Sequence, residues 1–184
     1  EGRGLDFESD FLKNLGALNR RLVFTEGQWW RLLVAPLLHG GFLHVALNCL
    51  ALLIIGPRLE GLVGLRWFFV TFGISCLFGD MLSLLFNSPH VVSVGASGGI
   101  MGLFATALLT SFRLEPGSAF RSSLQQDAAR VLVPTLLPAS LIPMAGSAQD
   151  GVDVAAHLGG AIGGFIIGMF LYYREAELEG LPHR

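Results

Sequence analysis

Long stretches without a charged side chain dominate this sequence. Ten charges fall in residues 1 to 31, none in 32 to 57, one (Asp80) in 67 to 112, and none in 131 to 149 or 154 to 173. A helix on a water-soluble domain keeps a polar face, whereas a bilayer-spanning helix needs about 20 mostly apolar residues. The charge-free stretches are of the second kind, and a charged fraction of 14%, against roughly 25% in ordinary soluble domains, agrees with them. The predicted fold class is all-α, a polytopic bundle of membrane helices.

Five spans are expected, at about 39 to 56, 67 to 86, 97 to 112, 131 to 146 and 154 to 173. The fourth carries Pro134, Pro138 and Pro143, which membrane helices tolerate where neighbours supply partners for the freed carbonyls. Arg58 and Arg66 join the first two spans, Arg113, Arg121 and Arg130 the third and fourth, and Arg174 follows the fifth, whereas 87 to 96 and 147 to 153 hold no Lys or Arg. By the positive-inside rule the arginine-bearing connections are cytoplasmic. Residues 1 to 31 are then an outer membrane-surface loop region, 32 to 173 the transmembrane core and 174 to 184 a cytoplasmic tail. Trp29 and Trp30 mark the headgroup level. No signal peptide is read near Glu1, and the residues are expected to be part of a longer chain.

A net charge of -2 with no basic run argues against nucleic acid as a partner. Cys49 and Cys76 lie inside apolar stretches without metal-site spacing and read as buried thiols or helix-packing residues.

The third span is too short for a hydrocarbon layer of about 30 Å, so one end must stop inside the membrane. At that end Val94-Gly95-Ala96-Ser97-Gly98-Gly99 predicts a loop dipping inward, with Ser97 capping a helix. A hydroxyl beside a helix N-terminus suits a serine nucleophile and its oxyanion. His157 near the outward end of the last span offers a base, and His44 and Asn48, one turn apart on the first span, offer donors. On the last span Gly160, Ala161, Gly164 and Gly168 share the face of His157, while Gly98, Gly102 and Ala105 form a matching strip on the third. Small-residue packing of the two would bring Ser97 to His157, with Gly159 facing elsewhere. Asp80 could orient His157 as in soluble triads, but equally fits a structural contact. His39 is expected at the mouth of the first span and His90 in solvent. A zinc site has no HExxH to support it, and no cofactor is implied.

Together WWR at 29 to 31, HGGFLHVALN at 39 to 48, GPRLEGLVG at 56 to 64, GASGGIMG at 95 to 102 and AHLGGAIGG at 156 to 164 resemble the rhomboid intramembrane serine proteases, from about residue 15 to 173. The resemblance implies Ser97 as nucleophile, His157 as general base, and His44, Asn48 and the Ser97 N–H as the oxyanion site. It also implies that residues 1 to 31 are the family's first outer loop, following a first membrane helix that precedes this chain. A multi-pass protein of a bacterial inner membrane is expected, surrounded by the lipid bilayer and cleaving a transmembrane protein substrate. The competing reading is a non-catalytic relative that binds transmembrane helices.

Overall fold

A computed structural model describes residues 9–141 and 152–178. Three short helices, α1 (Ser9–Leu15), α2 (Arg20–Phe24) and α3 (Arg31–Val34), and a 3-10 turn (Ala35–Leu37) precede five long ones. These are α4 (Phe42–Val63), α5 (Leu65–Phe86), α6 (Ser97–Ser111), α7 (Ala119–Leu141) and α8 (Val154–Leu178).

α6 is the axis of the bundle. Of its 15 residues 12 are buried, so every face meets protein and none is left for lipid. At about 1.5 Å per residue it is roughly 22 Å long, short of a hydrocarbon layer of about 30 Å. Phe104, Leu103 and Ile100 pack there on Ile55 and Leu59 of α4 and on Leu124 and Ala128 of α7. The outer helices point large apolar groups away from the protein. Leu43 and Leu53 on α4 are 70% and 73% exposed, and Phe69 on α5 is 61% exposed, an arrangement that is stable where lipid is the solvent.

Among the described residues three helices are long and apolar enough to cross a membrane: Phe42–Val63, Leu65–Phe86 and Val154–Arg174. The span expected at 131 to 146 corrects to a helix that begins at Ala119 and is followed to Leu141, with 142 to 146 outside the described residues. Charges at Arg121, Asp127 and Arg130 read as a loop, yet Leu124, Ala128 and Leu132 are buried at four-residue spacing, one face of a helix. Asp127 faces α4, where it pairs with Arg58. The first connection is also tighter than expected. Only Gly64 separates α4 from α5, at φ +81, a backbone region that favours glycine.

α8 lies in the groove between α5 and α6, and glycine lines both seams. A Cβ at Gly160 or Gly164 would strike the backbone of Gly98 or Gly102 on α6, as the small-residue strips predict. Gly159 faces elsewhere, as expected, but the side it faces is crowded. Its Cβ would lie 2.9 Å from Gly79 Cα and closer still to the Phe78 carbonyl, so it faces α5 and not open space. Adjacent helical positions are about 100° apart and here point at two neighbours, both in backbone contact. The cysteines divide likewise: Cys76 is buried against Gly99, whereas Cys49 is exposed on α4.

The segment before α4 is held by Arg31, which is 5% exposed. Its guanidinium donates to the carbonyls of Lys13 at 2.7 Å and Ala17 at 2.8 Å, its Nε donates to Gln28 Oε1 at 2.8 Å, and it lies 4.7 Å from the Trp30 ring. The segment is bonded in turn to the stretch between α5 and α6. Leu18 and Ser93 exchange backbone hydrogen bonds at 2.9 and 3.0 Å, Asn19 Nδ2 donates to the carbonyls of Pro89 and Val91, and Gly95 N–H donates to the Ala35 carbonyl at 3.0 Å.

Candidate active site

The loop from Val94 to Ala96 delivers Ser97 to the first turn of α6. Ala96, and not Ser97, is the N-cap, and no side chain caps this helix. This corrects the expected capping role and leaves the hydroxyl uncommitted to the helix. It meets the last helix instead: Ser97 Oγ and His157 Nε2 are 2.8 Å apart. Both side chains are half-buried.

The glycine seam makes this distance possible. Gly98, next to Ser97, touches Gly160, one turn beyond His157, backbone to backbone. Two turns further, Thr106 Oγ1 donates to the Gly164 carbonyl at 2.6 Å, a cross-helix bond that spacing alone did not reveal.

A neutral imidazole that accepts the Ser97 hydroxyl proton at Nε2 carries its own proton on Nδ1. His157 Nδ1 is buried with no protein partner, and so is Asp80 Oδ2. Asp80 therefore is not a hydrogen-bonded third member in this geometry, and its buried Oδ2 does not make the expected hydrogen-bonded contact between helices either.

His44 and Asn48 reach the serine loop from α4. A Cβ on Gly95, two residues before Ser97, would lie 2.7 Å from His44 Nε2 and 3.7 Å from Asn48 Nδ2. Gly95 sits at φ +122, so both its backbone conformation and the crowding above it require glycine. His44 Nδ1 accepts the Gly40 N–H in a long bond of 3.4 Å, which places the imidazole proton on Nε2, the nitrogen facing the loop. Asn48 is buried and its Nδ2 has no protein partner. A third donor is the Ser97 N–H, one of the first-turn amides without an intrahelical acceptor. A serine hydroxyl, an imidazole and three N–H groups thus lie near one end of α6.

His39 stands before α4 with its ring edge-on to His44 at 5.1 Å, and His90 is exposed. Neither reaches Ser97. Among the described residues no group of three or more His, Cys, Asp or Glu side chains could hold a metal ion.

The fold and this constellation define a multi-pass helical membrane protein with a serine and a histidine paired inside the bundle. Residues 26–174 match the model of the rhomboid domain family, and the chain belongs to that family. It is 36% identical over 167 residues to RHOMBOID-like protein 5 of Arabidopsis thaliana, covering 89% of this chain and 50% of that one. It is 32% identical over 165 residues to Putative rhomboid protease YdcA of Bacillus subtilis (strain 168), covering 89% and 74%. With Rhomboid protease AarA of Providencia stuartii it shares 29% identity over 177 residues, covering 89% and 63%. The chain spans about half the length of the plant relative.

Proposed function

We propose that this protein is an intramembrane serine endopeptidase that cleaves transmembrane segments with Ser97 and His157. The observation that carries this reading is the 2.8 Å separation of Ser97 Oγ and His157 Nε2 at the head of a buried helix. His157 takes the Ser97 proton as Oγ adds to the scissile carbonyl, then protonates the departing amine, leaving an acyl-enzyme that water hydrolyses. The charge on the carbonyl oxygen is met by Asn48 Nδ2, His44 Nε2–H and the Ser97 N–H. A peptide bond is accessible only where the substrate backbone is unpaired. The substrate is therefore a protein with one membrane helix that unwinds easily at its outward end and has a small residue at the cut. Support comes also from the relatives whose names include rhomboid protease.

Fluorophosphonate labelling in detergent tests the reading, comparing the unaltered protein with Ser97→Ala and His157→Ala. Serine-dependent labelling supports a protease, and its absence in a folded protein favours a non-catalytic helix-binding relative. Removing one oxyanion donor costs about 2.7 to 4 kcal/mol of barrier, so Asn48→Ala or His44→Ala should slow turnover roughly 100- to 1,000-fold while sparing much of the labelling. Asp80→Asn should keep substantial activity. A drop of about 10⁴-fold with normal folding would make Asp80 a third member.

In the same reading residues 1 to 31 lie on the outer surface of a bacterial inner membrane, 32 to 173 form the transmembrane core, and 174 to 184 are a cytoplasmic tail. Cysteine accessibility on a background lacking Cys49 and Cys76 checks the orientation. A reporter at exposed Ser88 should label from outside and one at exposed Glu115 from the cytoplasm. Glu115 is preferred to nearby Ser118, whose Oγ accepts the Arg121 N–H at the start of α7. The opposite labelling would invert the protein and place the site in the cytoplasmic half.

A further inference from the structure

α8 starts on Asp153. Oδ1 accepts the Ala156 N–H at 2.9 Å, the N-cap bond of the helix, and the Asp153 carbonyl accepts the His157 N–H at 3.1 Å. The same carboxylate reaches α5. Ser83 Oγ donates to Oδ2 at 2.5 Å and Asn87 Nδ2 donates to Oδ1 at 2.9 Å. Ser83 and Asn87 are buried one turn apart, and Asn87 Nδ2 also donates to Ser83 Oγ at 3.1 Å. This helix pair is therefore joined by a polar clasp four residues before the imidazole.

The clasp answers a need that the glycine seams create. Glycines let backbones touch but offer no side chain that interlocks, so they set the distance between helices far better than the position along the axis. A slip of one residue would move His157 by about 1.5 Å and turn it by about 100°. Thr106 fixes the register at mid-helix through Gly164. At the end that bears His157, the hydrogen bonds among the described residues that can fix it are those on Asp153. We propose that Asp153, clasped by Ser83 and Asn87, is a positioning residue that sets the register of α8 and so presents His157 to Ser97. This inference rests on the reading that Ser97 and His157 are the reacting pair.

The test is steady-state cleavage of a model transmembrane substrate by the membrane-embedded protein, with hydrogen exchange over residues 154 to 158 measured in parallel. Asp153→Ala should lower kcat about 100-fold with KM unchanged, the cost of a reacting group misplaced by about 1 Å. Asp153→Asn should restore kcat to within about 5-fold, because an amide caps as well as a carboxylate and Ser83 Oγ can accept where it now donates. Exchange over the first turn should rise in the alanine variant and return to normal in the asparagine variant. If Asp153→Ala fails to fold, the pair Ser83→Ala and Asn87→Ala leaves the cap intact and should lower kcat in the same way. An unaltered kcat in that pair, or in folded Asp153→Ala, overturns the inference. So does an Asp153→Asn variant as slow as the alanine one, which would assign the effect to charge. Cleavage that survives Ser97→Ala overturns the reacting pair itself, whereas Ser97-dependent cleavage indifferent to Asp153 overturns the clasp alone.

Discussion

Ser97→Ala should remove fluorophosphonate labelling and reduce cleavage of a transmembrane substrate by about 10⁶-fold, the scale seen when a soluble serine protease loses its nucleophile. Among the described residues no other hydroxyl is hydrogen-bonded to His157, so none of them offers a substitute nucleophile. His157→Ala should be nearly as severe, because an unactivated serine hydroxyl is a poor nucleophile and His44, the other imidazole at the loop, carries its proton on the nitrogen that faces Gly95 and so offers no acceptor there. The two changes together should cost little more than either alone, since each removes the same step. Thermal melting in detergent should move little, because both side chains are half-buried and neither belongs to the main core cluster. A His157→Ala variant that still cleaves at a tenth of the normal rate would mean that another group takes the proton. A Ser97→Ala variant that still cleaves would end the serine mechanism.

The parts of this fold legible from sequence are those with a one-dimensional signature. Charge-free runs locate the starts of α4 and α8 and both ends of α5 to within about three residues, and the glycine spacing on α6 and α8 identifies the seam that brings Ser97 to His157. α7 was less legible because its first three turns carry charge. Arg121, Asp127 and Arg130 look like a loop until Arg58 of α4 is seen to pair with Asp127. The bonds that hold the serine loop were not legible at all. Leu18 to Ser93 and Ala35 to Gly95 are backbone contacts across 75 and 60 residues, and a backbone amide leaves no mark in a sequence. Asp153 carries a mark, an acidic residue just before an apolar run, but the mark indicates a cap and says nothing of Ser83 and Asn87 on another helix. Helix starts are local, whereas the partner that fixes a helix axially is not.

Gly164→Val should lower both stability and activity sharply. A Cβ at this position would lie 2.5 Å from the Gly102 carbonyl carbon and nearer still to its oxygen and Cα, all backbone atoms with no rotamer by which to retreat. α8 must then move off α6 bodily. Overpacking of this kind costs about 1 to 3 kcal/mol, and absence of a flexible neighbour puts it at the upper end. Displacement also stretches the 2.6 Å bond from Thr106 Oγ1 to the Gly164 carbonyl, worth about another 1 kcal/mol. Because His157 lies two turns away on the same rigid helix, a separation of about 1 Å at the seam reaches the imidazole and should cost about 100-fold in cleavage. Gly159→Val does not serve as a neutral comparison, since it drives a side chain into Phe78 and Gly79 of α5. Gly73→Val does: a Cβ there meets nothing within 4 Å, so the same bulk on α5 should leave melting and cleavage near normal. If Gly164→Val melts and cleaves like the unaltered protein while Gly73→Val does too, α6 and α8 do not touch at Gly102 and Gly164. The 2.8 Å approach of Ser97 to His157 would then need a support other than the glycine seam.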